Sequence, residues 1–167
     1  MTLVEQVGHD EVSGRDLFVI SIPKSEDLPR ELSLTTGRFV CLIAWDARAA
    51  GADEISAIAR WLLEVGAVHV CAWGPGCERV HDIIDDEQLG QSPKSTGTAV
   101  VMTTWHDDES LVETLGFVLT AAVPDEEYEH ECGSTLGISI GSSEWAAEIR
   151  EAFSRPRDFV RQWTADA

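Results

Sequence analysis

Two stretches of this 167-residue chain concentrate the side chains that can do chemistry. "TTWHDDES" (103–110) sets His106 beside Asp107, Asp108 and Glu109, and an imidazole among carboxylates is the raw material of general acid-base work or of a hard-metal site. The same carboxylates also suit the first turn of a helix, where Asp107 or Asp108 can cap free N–H groups. "CAWGPGCERVHD" (71–82) puts Cys77 and His81 four residues apart, so that on a helix beginning near Gly76 they share a face, with Asp82 and Asp85 nearby. Zinc wants three or four ligands, usually with a C-x2-4-C pair, whereas these cysteines are spaced C-x5-C and Cys71 sits in an apolar run. Packing and capping roles are favoured, and no metal is assigned.

Other matches fail on context. "GPGCERV" places proline between its glycines and lacks the third glycine of a dinucleotide fingerprint, and "GQSPKST" misses the P-loop spacing. No cofactor is implied. "GISIG" (137–141) fits G-x-S-x-G, but Ile138 and Ile140 hold Ser139 inside a strand, and all five histidines precede it in the chain.

The elements that must position these residues alternate. "RFVCLIAW" (38–45), "AVHVCAW" (67–73), "TAVVMTTW" (98–105) and "LGISI" (136–140) read as buried parallel strands, with "DLFVISI" (16–22) as a fifth at one edge. Helices are predicted over 53–66, where Ile55, Ile58, Ala59 and Leu62 form a stripe, over 108–122 and over 142–153, with a break at Pro156 and a short closing helix to about Trp163. Residues 88–97 read as a flexible turn-rich connection, and 123–134 as an acidic loop. The pattern predicts a single α/β domain over 1–167, three-layered and Rossmann-like or flavodoxin-like, with a mostly parallel sheet of about five strands and residues 1–14 as a flexible N-terminus.

Three of these strands end in tryptophan, at Trp45, Trp73 and Trp105. The strand ends of an open parallel sheet line up, so these tryptophans should share the C-terminal edge and converge there with Asp46, Cys77, His81, His106 and Asp108. Those eight residues are the candidate ligand site; no catalytic residue is assigned.

"CAWGPGCERVHD" together with "VMTTWHDDESL" resembles a small bacterial domain family of unknown function, over roughly residues 38–125. The resemblance implies a bacterial cytosolic source and carries no activity with it.

Thirty acidic against 12 basic residues give a net charge of −18, which repels nucleic acid and anionic membranes and attracts basic proteins. The start has no basic and apolar leader pattern and no stretch is long enough to span a membrane, so a cytoplasmic protein is expected. Cys41, Cys71, Cys77 and Cys132 are too scattered for a disulfide framework and are expected as thiols. The leading functional expectation is a non-catalytic protein docking a basic protein partner, with the acidic loop as one docking element. The alternative is an enzyme or small-ligand binder with its site at the strand ends, with or without the assistance of a metal.

Overall fold

Three apolar runs with both faces covered build the centre of a six-stranded sheet. The computed structural model describes residues 4–91 and 99–167. Its strands are β1 (Glu5–Asp10), β2 (Arg15–Ile22), β3 (Arg38–Trp45), β4 (Ala67–Trp73), β5 (Met102–His106) and β6 (Cys132–Ile140), in the order β1-β2-β6-β3-β4-β5. Only β1 and β2 pair antiparallel; all other neighbours are parallel. Helices α1 (Ala52–Val65) and α2 (Cys77–Gln91) cover one face, and α3 (Leu111–Thr120), α4 (Ser143–Ser154) and α5 (Pro156–Asp166) cover the other. The result is a three-layer α/β architecture compatible with a Rossmann-like or flavodoxin-like fold.

The stripe of α1 is buried as its spacing predicts: Ile55, Ile58, Ala59 and Leu62 all face the sheet, and Gly66 closes the helix at φ +108°. Burying each isoleucine or leucine there is worth about 1.5–3 kcal/mol. The four cysteines are buried free thiols, and burial pushes Cys71 up to about 12 and Cys41, Cys77 and Cys132 above their ordinary range. None of them is poised as a nucleophile.

Several expectations change. "DLFVISI" is not an edge strand, because β1 pairs along its outer side. Within residues 1–14, expected as a flexible N-terminus, Glu5–Asp10 form a sixth strand. The strand expected from residue 98 begins at Met102: the backbone N–H and C=O of Val101 are taken by the Gln88 side chain, at 2.7 and 3.1 Å. Residues 88–91 close α2, and the rest of the expected connection lies outside the described residues. The helix expected from residue 108 begins at Leu111, because Ser110 and Glu113 form a capping box; Asp107 and Asp108 do not cap it. No helix among the described residues is long and apolar enough to cross a membrane.

Candidate functional site

From β3 the chain advances through α1 to β4 and through α2 to β5 on one face, then returns through α3 on the other face to lay β6 beside β3. After β3 it leaves toward α1; after β6 it leaves toward α4, on the opposite face. The exits of β3 and β6 thus diverge, and in open α/β sheets ligands bind in the crevice such a divergence opens. A cleft of about 870 Å³ lies there.

Short bonds fix its walls. The N–H of Gly141, just after β6, donates to Ile22 O at 2.8 Å, tying the exits of β6 and β2. Ser25 Oγ donates to Glu54 Oε2 at 2.8 Å and Trp61 Nε1 donates to Pro29 O at 2.7 Å, which pin the loop after β2 against α1. Ser142 caps α4 through its side chain, accepting from Trp145 N, and Ser139 Oγ donates to Ser142 O at 2.7 Å. Ser139 is itself fully buried, so its hydroxyl holds the strand end rather than facing a substrate.

The predicted site residues share an edge without sharing a face. Trp45 and Asp46 line the cleft. Asp46 is gripped by Arg48, whose Nε and Nη2 donate to Oδ1 and Oδ2 at 2.9 and 2.7 Å, and these bonds hold its carboxyl below the ordinary range. Ala44 pairs with Trp73, which puts Trp73 on the α3–α5 face; it meets Trp145 edge-on at 4.9 Å and donates from Nε1 to Glu109 O. Ala72 pairs with Trp105, which returns Trp105 to the α2 face, 4.5 Å from the His81 ring. His81 in turn faces Asp82 and Asp85 at 2.9 and 3.5 Å.

Cys77 lies in the core, so it does not join His81 on an accessible face. His106 is buried under α3 against Phe117, with Glu109 Oε2 3.0 Å from Nδ1 and Thr104 Oγ1 2.9 Å from Nε2. Asp108 is exposed beyond it. Among the described residues no three His, Cys, Asp or Glu side chains converge in a way that could hold a metal ion. Trp61, Trp145, Ser25 and Glu54, which the sequence did not point to as site residues, complete the cleft because β6 inserts between β2 and β3.

His69, also under α3, is 3% exposed; its Nδ1 lies 2.7 Å from the Val123 carbonyl, which requires N–H there and leaves Nε2 deprotonated, with no partner among the described residues. Burial pushes its pKa down. The unfolded chain, titrating near about 6.5, therefore binds the proton first as pH falls. Stability should decline from about pH 6.5 down to the depressed folded value, by up to about 1.4 kcal/mol per pH unit. His69→Asn keeps an N–H for Val123 and cannot titrate, so the gap in stability between wild type and variant should shift in favour of the variant between pH 7 and pH 5. Urea titrations at both pH values check this, and a constant gap would show that His69 is not desolvated.

A search of the curated proteins finds no match for the chain. The family model described as "Domain of unknown function (DUF7684)" matches residues 17–156, from within β2 to the first residue of α5, a span that holds every residue lining the cleft: the chain belongs to the DUF7684 family.

Proposed function

We propose that this protein is a binding domain whose site is the cleft between the exits of β3 and β6, and that it takes a compact, mostly apolar ligand carrying a positive charge. The observation that carries the reading is the coincidence of the cleft with the strand-order reversal. Trp45, Trp61 and Trp145 supply aromatic lining that suits apolar groups and cations, while Glu26, Asp46 and Glu54 exceed by one carboxylate the cations beside them, Lys24 and the Arg48 that grips Asp46. Ala57 stands exposed on the α1 wall, where a larger side chain fills the cleft without entering the core.

Ligand-observed NMR with phenethylamine and with phenylpropionate, its acidic counterpart, tests this. The amine should bind and the acid should bind at least about tenfold more weakly, as the carboxylate excess demands. Ala57→Trp should abolish amine binding while circular dichroism stays unchanged. Amine binding unaffected by that substitution would move the site elsewhere.

Docking to a basic protein is the second reading, supported by the uneven charge: residues 80–131 hold thirteen acidic residues and one lysine. The acidic loop is partly occupied at home, since Asp125 accepts from Glu127 N and Arg38 lies over the Tyr128 ring at 4.8 Å. Bait experiments in lysate at low and high salt, with 125–131 intact or neutralised to Asn and Gln, separate loop docking from docking elsewhere on this surface.

A further inference from the structure

We propose that the outer edge of β5 is a docking strand that accepts an extended basic segment of another protein by β-strand addition. The inference rests on the basic-partner reading and is independent of the cleft. Strand β5 pairs only with β4; among the described residues no strand occupies its other side. A parallel edge strand leaves alternate N–H and C=O groups facing outward, and such edges are usually blunted by lysine, proline or a bulge. "MTTWH" has none of these.

The edge is also apolar where a docked strand would lie. Of the seven large apolar side chains exposed among the described residues, Leu89, Val100, Met102, Trp105 and Val123 lie on β5 or beside it. Leu89 follows Gln88, which bonds Val101, and Val123 is held by His69, the register partner of Met102. Met102 and Trp105 are 41% and 43% exposed, unusual for a strand of a covered parallel sheet.

Charge selects the occupant. Asp85 accepts from Thr103 Oγ1 at 2.6 Å, Asp82 holds the histidine that packs on Trp105, Asp107 and Asp108 follow the strand, and Asp125 accepts from Val100 N. Carboxylates therefore surround the edge, and no arginine or lysine among described residues 80–131 offsets them. A second copy of the chain would bring the same carboxylates and its own charge of −18 against them. Met102 and Trp105 lie on opposite faces of the strand, so an extended segment alternating basic and apolar residues sets its apolar side chains on the α3 face, against Met102 and Val123, and its ammonium groups on the α2 face, beside Trp105, Asp82 and Asp85.

The test uses fluorescence anisotropy with a labelled (Lys-Val)4 peptide and with (Lys-Pro)4, which has the same charge but cannot form a strand ladder. The full chain should bind (Lys-Val)4 at least about tenfold more tightly, because the ladder adds to the charge attraction. Amide exchange at Met102–Trp105 should be fast in the free protein at the outward positions and slow in the complex. Met102→Lys/Trp105→Lys, which places lysine on the edge, should lose the preference; if that variant misfolds, the exchange map of the wild type decides alone. Equal binding of the two peptides with no new protection at 102–105 would leave the basic-partner reading standing and overturn the edge. No binding of either would overturn both. Full protection of these amides in the free protein would show the edge already covered by this chain or a second copy, and would also overturn it.

Discussion

Replacing Gly74 by alanine is expected to cost about 2–5 kcal/mol, the sum of a positive-φ penalty for a residue with a Cβ and of overpacking against fixed neighbours. Gly74 sits at φ +112°, and a Cβ there would stand 2.4 Å from the carbonyl oxygen of Trp45. That oxygen belongs to the backbone, so no rotamer change relieves the clash. The Gly-Pro-Gly corner of "CAWGPGC" is thereby explained: Pro75 O accepts from Ala47 N at 2.9 Å and Gly76 packs on Ala47 and Arg48, so the turn leaving β4 clasps the turn leaving β3. The expected fall in melting temperature is on the order of 10 °C for a chain of this size. Gly90→Ala in α2 is the matching control; nothing lies within 4 Å of its Cβ, and it should stabilise slightly through helix propensity. Because the displaced group is the backbone of Trp45, Gly74→Ala should also weaken ligand binding in the cleft. A melting temperature within about two degrees of wild type would refute the clasp.

How far the sequence reads this fold depends on burial. Strands β3 and β4 occupy the ranges expected from "RFVCLIAW" and "AVHVCAW" because both faces are covered, which leaves uninterrupted apolar runs. Strand β1, "EQVGHD", gives no such signal: it is an edge strand whose pairing rests on backbone bonds to β2, and its Gly8 is demanded by the Phe153 carbonyl, 2.0 Å from where a Cβ would stand. The shared edge of Trp45, Trp73 and Trp105 was legible from their strand-terminal positions. Their faces were not, because side-chain direction has a period of two and a one-residue offset between strands sends Trp73 to the other side. The cleft was hidden for a topological reason. Trp61, Trp145 and Ser25 meet only because β6 enters between β2 and β3, and no local pattern in "LGISI" encodes that insertion.

Asp10→Ala should be strongly destabilising although it lies outside the apolar core. Asp10 is 1% exposed at the end of β1, accepts from Val12 N and Ser13 Oγ at 3.1 and 2.9 Å, and faces Arg157 of α5. Arg157 Nη2 donates to Oδ2 at 3.1 Å, while Nε stands 2.9 Å from Oδ1 as an ion-pair contact off the N–H line. Nη2 also lies 3.4 Å from Leu119 O, so one guanidinium joins the β1–β2 hairpin, α3 and α5. Breaking a buried pair from one side costs about 3–5 kcal/mol, and the 30% exposure of the Arg157 side chain places this case near the lower bound. Asp10→Asn keeps an acceptor for the turn and removes the charge, so it should lose less. The double variant with Arg157→Ala should lose less than the sum of the singles, by about 1–3 kcal/mol. Strand β1 and nearly all of α5 lie outside the family match, so this pair also reports whether the two terminal elements melt with the family domain. A single cooperative urea transition displaced by about 3 kcal/mol is expected. Loss of amide protection confined to 5–10 and 156–166, with the main transition unmoved, would instead make them a separately melting layer.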